Sequence, residues 1–399
     1  MNPRLNRLLF SVARAIPVPL QVSGSAQRFL RLPAPIRIVV HADDVADVLG
    51  RDEEFTIAEV NGARLEAASG PFILGWDAGP DYDREAAFLH AAVPASDFER
   101  VATITAELAA AQIAAAGPAS TAGTVRFDVV AGYARPISVE LVQRWLGVTH
   151  PDPVTLGHWL RALFDGCFVS SDRRARELTA AVAVEFGDHL RSQISDARAN
   201  GPDTETVLGR MVELSDRPEW DWVDDDAIRR NIAGLAVGAV DTTSKAATLV
   251  LDELMRRPDQ LADAGKAHEA GDTARVWSHV VECLRWNPHQ PLLARHTPEA
   301  TALGGRTVPA GTSVIIATAS AAFDAKAVAR PRAYRVDRGP EVVRPFGAGL
   351  HECFGRRVNQ VTLPALVGPI AAASPHRAGR LAWDGSFPDH LLVDLTVAP

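Results

Sequence analysis

Arg344-Pro-Phe-Gly-Ala-Gly-Leu-His-Glu-Cys-Phe-Gly355 is the stretch around which the rest of the 399-residue chain is read. Gly347, Gly349 and Gly355 permit backbone conformations closed to residues with a Cβ, and they let main chain approach a flat ligand closely. From Arg356 to about Ile370 the pattern is helical, which places Cys353 just before the first turn or within it. A helix start presents unpaired N–H groups and the positive end of the macrodipole, and both stabilise a thiolate over a thiol. A soft anionic sulfur held this way suits an axial iron ligand. The plainer reading is a glycine-rich loop ahead of a helix with an incidental buried cysteine, since such a cysteine commonly packs as a small core residue.

Apolar residues make up 47% of the chain and charged residues 23%, ordinary globular values that point to neither disorder nor a fibre. The length accommodates two or three average domains or one large enzyme. With no repeat period, low-complexity tract or linker, residues 1–399 read as a single domain. A formal net charge of −8 argues against nucleic acid as a general partner, because phosphate binding needs a concentrated excess of Lys and Arg. Cys167, Cys283 and Cys353 are far apart and form no CxxC pair, so neither a disulfide framework nor a zinc site is expected, and a reducing compartment is. Near the start, Leu8-Leu9-Phe10 is interrupted by Arg4, Arg7, Arg14, Pro17 and Pro19. That run is too broken for a signal peptide and too short for a membrane span, so a soluble, cytoplasmic chain is expected.

Along the chain, residues 36–40 read as a strand and 41–50 as a short helix, while 56–75, with Gly62, Gly70, Pro71 and Gly75, read as a long loop. Residues 77–92 and 96–117 read as helices, and helical spacing continues from Phe127 to Leu146. Two more helices are expected within 157–198, separated by Ser170-Ser-Asp-Arg-Arg174. The longest helical pattern runs from Asp224 to Arg257, about 50 Å at the standard rise, with an acidic start and a basic end. In its middle, Gly238-Ala-Val-Asp-Thr-Thr243 puts two small residues, an acid and hydroxyls into an apolar run. Burying Asp241 there without a task or a partner is costly. The hydroxyls can also be read as bonded back to their own helix. Further on, Trp277 to Arg285 is an amphipathic helix with Glu282 and Arg285 on one face. Val308 to Ile316 is a turn feeding a β-rich run, and Gly385 to Val393 reads as a final hairpin. His289 and His296 have no second ligand at metal spacing.

The order Phe346-Gly347-x-Gly349-x-His351-x-Cys353-x-Gly355 resembles the haem-binding signature of the cytochrome P450 family at every fixed position. The resemblance implies that Cys353 is the proximal thiolate on iron, that Phe346 packs beside it with Gly347 and Gly349 in the same haem-binding turn, and that His351 reaches a haem propionate. Gly238 to Thr243 resembles the family's oxygen-activation motif. On that likeness Gly238 and Ala239 line the groove for dioxygen, Thr242 is the alcohol that holds a water and Asp241 the acid that connects it to bulk protons. Ala239 stands where Gly is more usual. Glu282-x-x-Arg285 matches the family's fold-supporting motif, whose third charged position falls here on Ala333, with Arg332 and Arg335 adjacent. Arg295 takes the place of a second propionate partner, or is a surface arginine, and Pro291-Leu-Leu293 is part of the substrate wall. Where the family commonly carries a propionate-clamping His and Arg, this chain has Tyr82 and Ala86, so that clamp is absent or altered, with Tyr82 or Arg84 as stand-ins. Trp159, Leu163, Phe164 and Phe168 fall in the family's lid region and are either substrate-lining or core residues.

Membership of such a family implies a mainly α fold with small β-sheets, a single triangular domain holding haem b (iron protoporphyrin IX) between the long helix and the Cys353 loop. The implied activity is a haem-thiolate monooxygenase acting with O2 on a small or medium apolar organic substrate. No flavin or iron–sulfur motif is present, so electrons are expected from a ferredoxin and ferredoxin reductase, with Arg356 and Arg357 either docking an acidic ferredoxin or simply solvated. A peroxide-driven peroxygenase or peroxidase, a family fold recruited for rearrangement or oxidative coupling, and a non-catalytic haem-binding protein are the alternatives.

Overall fold

The computed structural model describes residues 35–116, 124–170, 172–339 and 344–396, together with the backbone of Leu20–Gln21. The strands are β1 (Leu20–Gln21), β2 (Ile36–Val39), β3 (Thr124–Asp128), β4 (Leu293–Thr297), β5 (Thr301–Leu303), β6 (Arg306–Val308), β7 (Thr312–Ile316), β8 (His376–Arg377), β9 (Trp383–Asp384), β10 (Phe387–Pro388) and β11 (Leu392–Thr396). The α-helices are α1 (Ala42–Gly50), α2 (Ala63–Ala68), α3 (Pro80–Ala92), α4 (Phe98–Ala115), α5 (Arg135–Leu141), α6 (Pro153–Phe168), α7 (Arg173–Asn200) and α8 (Val207–Ser215). They continue with α9 (Asp225–Leu254), α10 (Pro258–Glu269), α11 (Thr273–Trp286), α12 (Thr318–Ala321) and α13 (Arg356–Ala372). Helix dominates and the sheets are small, the class expected from the sequence.

The chain packs as two compact units. The first takes residues 1–63, 73–82 and 281–354. Its sheet has the order β1-β2-β7-β4, with β2 parallel to β7 and β4 antiparallel to it, so that Arg295 lies opposite Val314. Val39, Val45, Val48, Leu49, Phe55, Val314 and Ile316 form its apolar core. Fully burying each such side chain contributes roughly 1.5–3 kcal/mol before conformational entropy is subtracted. The C-terminal end of α1 is therefore a fixed wall, and the Cys353 loop packs on it.

The second unit takes residues 64–72, 83–280 and 355–399. Helix α9 is buried along most of its length and packs on α5, α6, α7 and α13. It starts where the sequence says it should: the Asp224 side chain accepts from the Ala227 amide at 2.8 Å, and Asp225 and Asp226 occupy the first turn. Asp152 and Asp172 cap α6 and α7 in the same way. The short ribbon β9–β10 turns at Gly385, whose φ of 57° is left-handed. Val393 is not part of that ribbon; it lies in β11, which pairs with β3 and β8.

Two segments differ from the sequence reading. Phe127 is not helical but sits in β3, where Val125 and Phe127 point inward and the ladder partner is β11, far along the chain. Residues 58–68 form a π-turn and the short helix α2 rather than an open loop.

Candidate active site

In the first unit, the turn before α13 is closed by its own backbone. The Gly347 amide donates to the Arg344 carbonyl at 3.2 Å, Glu352 to Gly349 at 3.1 Å, and Cys353 to Phe346 at 2.9 Å. Gly347 and Gly349 have φ of 76° and 74°, which L side chains rarely adopt. A Cβ at Gly349 collides with the carbonyl oxygen of Leu49, so the turn seats directly on the end of α1. Helix α13 begins at Arg356 with Gly355 as its cap, which places Cys353 ahead of the helix rather than within its first turn. Cys167 and Cys283 are buried, whereas Cys353 is exposed, so its sulfur is the one in the chain that faces outward.

Beside it lies a buried set of polar groups with unmet demands. Among the described residues, His351 has no hydrogen-bond partner at either ring nitrogen, Arg295 has none at Nε, and Asp52 has none at Oδ1. Arg295 is almost fully buried and donates to the carbonyl of Ala294 at 3.0 Å. Burial, then the neighbouring Arg295 charge, pushes His351 down to about 4, so the imidazole is neutral near pH 7. Asp77 does not relieve the cations by direct contact, because its Oδ1 accepts from the Ile57 and Ala58 amides at 2.7 and 3.0 Å. A buried guanidinium beside an unsatisfied imidazole is costly unless an anion joins them. A ligand presenting carboxylates meets that demand, and the glycine turn admits a flat body.

Tyr82 does not stand in as a clamp on such carboxylates. Its hydroxyl donates to the Leu350 carbonyl at 2.6 Å and its ring meets His351 edge-on at 5.5 Å, so it supports the loop and the imidazole. Asp52 holds the same residue from the other side, its Oδ2 accepting from the Leu350 amide at 3.0 Å. In the second unit, the Arg84 guanidinium stacks over Trp222 at 4.9 Å.

Glu282 and Arg285 form a buried pair on α11. Arg285 donates to both carboxylate oxygens, at 2.8 and 2.7 Å, and to the carbonyls of Ala322, Pro331 and Ala333. Glu282 also accepts from Trp286 Nε1 and from the Arg335 amide, at 3.1 and 2.9 Å. The third charge comes from Arg338, whose Nε lies 3.4 Å from Glu282, while Ala333 contributes only its carbonyl.

In the second unit, the buried course of α9 is relieved along one stripe: Gly234, Leu235, Gly238, Ala239, Thr242 and Lys245 are all partly or fully exposed. Gly238 is the most open of them, with nothing within 4 Å of a Cβ built there. The Thr242 hydroxyl donates to the Gly238 carbonyl, the back-bond that such a residue is expected to make within its own helix. The preceding residue, Asp241, is buried with Arg161 Nη1 at 3.3 Å and Arg135 Nη2 at 3.6 Å from its Oδ1, while its Oδ2 has no partner among the described residues. Burial raises the Asp241 pKa, and the two guanidinium charges oppose that rise.

A family profile described as cytochrome P450 matches residues 277–369, the interval that contains Glu282, Arg285, His351 and Cys353. The chain is 29% identical over 265 residues to the erythromycin C-12 hydroxylase of Saccharopolyspora erythraea, covering 65% of this chain and 62% of that one. It is 26% identical over 287 residues to the cytochrome P450 monooxygenase PikC of Streptomyces venezuelae, covering 69% and 63%. In sequence and in fold this chain is similar to the cytochrome P450 family. The match spans less than two thirds of the length of those curated relatives. Over nearly the whole chain the P450 fold is shared with solved structures. The structure of P450BioI in complex with a hexadec-9Z-enoic acid-ligated acyl carrier protein has a TM-score of 0.81 at 18% identity, covering 98% and 99% of the two chains. That of CYP109E1 from Bacillus megaterium in complex with testosterone has a TM-score of 0.77 at 18% identity, covering 100% of each.

Cytochrome P450s carry a haem-thiolate cofactor, and the exposed Cys353 with the buried Arg295 guanidinium and the neutral His351 imidazole beside it fits one. Sequence reasoning missed several supports of this site: Arg338, Asp52 and the propping role of Tyr82. It also passed over Lys245, although a lone lysine one turn beyond Asp241 in an apolar run was a readable signal. Of the four aromatic and aliphatic residues expected to line substrate or core, Leu163 is core and Trp159 packs among His150, Phe186 and His189. Phe164 and Phe168 stack on each other, and Phe164 meets Phe387 of β10 at 5.7 Å. No helix among the described residues is long and apolar enough to cross a membrane.

Proposed function

We propose that this protein is a haem-thiolate monooxygenase, with residues 1–399 working as one catalytic domain. It inserts one oxygen atom of O2 into a small or medium apolar organic molecule, using electrons from a ferredoxin and its reductase. The observation that carries the reading is the exposed Cys353 sulfur on a turn seated against α1, next to a buried His351 and Arg295 that lack anionic partners. Cys353 would ligate iron, and His351 and Arg295 would take the carboxylates of haem b, as Arg's fork geometry favours. Phe346, Gly347 and Gly349 shape the turn behind the sulfur. Haem bound there supplies the redox chemistry that splits O2, one oxygen atom entering the substrate and the other leaving as water.

The chain's own part is space and protons. Gly238 and Ala239 keep the exposed stripe of α9 low enough for a small molecule. Because the Thr242 hydroxyl spends its hydrogen on the Gly238 carbonyl, it is left as an acceptor and orients a water by receiving that water's hydrogen. Asp241, with one oxygen shared by Arg135 and Arg161 and the other open, holds and releases a proton at Oδ2. Arg357, exposed four residues after Cys353, offers positive charge for an acidic electron donor.

The direct test is spectroscopic: the reduced, carbon monoxide-treated protein shows the absorption typical of thiolate ligation, and O2 with NADPH and surrogate redox proteins yields product. Turnover on peroxide that equals or exceeds this would favour a peroxygenase instead. Thr242→Ala is expected to uncouple the reaction. NADPH consumption continues, peroxide appears, and product per NADPH falls by about tenfold or more. An unchanged product-to-NADPH ratio removes Thr242 from proton delivery.

A further inference from the structure

The cations around Asp241 outnumber the carboxylates that pair with them. Arg135 Nη2 and Arg161 Nη1 both reach the single oxygen Asp241 Oδ1, at 3.6 and 3.3 Å, and the Arg161 contact is an ion pair without hydrogen-bond geometry. Lys245, one turn further along α9, makes no hydrogen bond or ion pair with any described residue. Its Nζ lies instead 5.8 Å from the centre of the Phe387 ring and 5.9 Å from that of Trp383, the two aromatic residues of the β9–β10 ribbon. The Arg161 guanidinium lies 3.7 Å from the centre of the same Phe387 ring. Asp165 on α6 and Asp384 on β9 act on Arg161 only through space. Lys245 also stands on the exposed stripe with Gly238, Ala239 and Thr242, so its ammonium opens toward the same space as the residues assigned to the reaction.

We propose that Lys245, aided by Arg161, binds the carboxylate of the substrate, so that this protein acts on an apolar carboxylic acid whose body lies against Phe387, Phe164 and Phe168. The inference rests on the monooxygenase reading and adds the substrate class. An ammonium among rings retains cation–π attraction but lacks the hydrogen-bond acceptors that its three donors need. Burial, then the Arg161 charge, brings its pKa down to about 8, while Asp241 opposes this, so the group is still mainly protonated at neutral pH. A single negative charge satisfies it.

The test is calorimetric binding of 4-phenylbutyrate and dodecanoate to the haem-loaded protein, each against its primary amide. The wild-type chain is expected to bind at least one acid ~10-fold or more tightly than the matching amide, the size of effect that a charge-assisted hydrogen bond gives. Lys245→Met brings acid and amide to parity while amide affinity stays within about twofold, and Lys245→Arg retains the preference. Removing a half-buried cation that no carboxylate pairs leaves the melting temperature of Lys245→Met equal or higher, whereas a lysine with a purely structural role would lower it. Lys245→Gln gives the same comparison should the methionine variant not fold. Persistence of the acid preference without Lys245 overturns the proposal, as does a wild-type chain that prefers neither acid to its amide. The carbon monoxide spectrum is recorded on the same samples: a normal thiolate band with no acid preference sinks the substrate class alone, and loss of the band sinks the monooxygenase reading beneath it.

Discussion

Cys353→Ser is expected to give a folded chain that has lost the spectrum of thiolate ligation and turns over no substrate. The side chain is exposed, and the loop is held by its backbone, with the Cys353 amide on Phe346 and the Leu350 amide on Asp52, none of which the substitution touches. Stability without cofactor should therefore stay within about 0.5 kcal/mol of wild type, as for an ordinary surface change. A hydroxyl is a hard, weakly donating ligand, so it neither replaces a thiolate on iron nor pushes electron density toward O–O cleavage. Circular dichroism and urea unfolding measure the first half of this result, and the reduced carbon monoxide spectrum with a turnover assay the second. A serine variant with the full thiolate band would move the ligand to another residue.

The reverse pattern is expected of Arg285→Met, which costs stability first and activity only in consequence. Arg285 is buried and bonds to both oxygens of Glu282 and to the carbonyls of Ala322, Pro331 and Ala333. Removing it strands the carbonyls of Ala322 and Pro331, since that of Ala333 also accepts from Arg338, and leaves Glu282 leaning on Arg338, Trp286 and the Arg335 amide. Breaking a buried ion pair by deleting one member costs about 3–5 kcal/mol, because the remaining charge is uncompensated. Urea unfolding should register a loss of that size. Arg285→Lys should fall between, since an ammonium replaces the charge but not the planar fork. A loss under about 1 kcal/mol for the methionine variant would mean that Arg338 carries the network alone.

What was legible in the sequence is what lies close together in it. The glycines, His351 and Cys353 share one short turn, Gly238 to Thr242 share little more than one helical turn, and Glu282 with Arg285 sit three residues apart, so local spacing is enough to read them. The supports of the same site were hidden by distance along the chain. Tyr82 and Asp52 grip Leu350 across separations of 268 and 298 residues, and nothing near Tyr82 announces its partner. Arg338 was missed because the third charge was sought at a fixed offset, whereas the chain reaches Glu282 by a loop that holds Arg338 with the carbonyls of Ala329, Arg330 and Ala333. Strand β3 failed for a related reason: five residues alternating inside and outside are too few to outweigh helical neighbours, and the ladder that stabilises them comes from residues 392–396. Lys245 was passed over as one more residue of a long helix, because its unpaired state exists only once α6 and the β9–β10 ribbon are in place.

The unequal burial of the three cysteines has a practical corollary. Cys167 is sealed in the core, where burial raises its pKa to about 12, and Cys283 is enclosed against Tyr334. Alkylating reagents need thiolate and access, so the native chain offers them one sulfur and the denatured chain three. If Cys353 ligates iron as proposed, the dye equivalents taken up under native conditions become a gauge of how much of a preparation carries iron on that sulfur, legible without any substrate in hand.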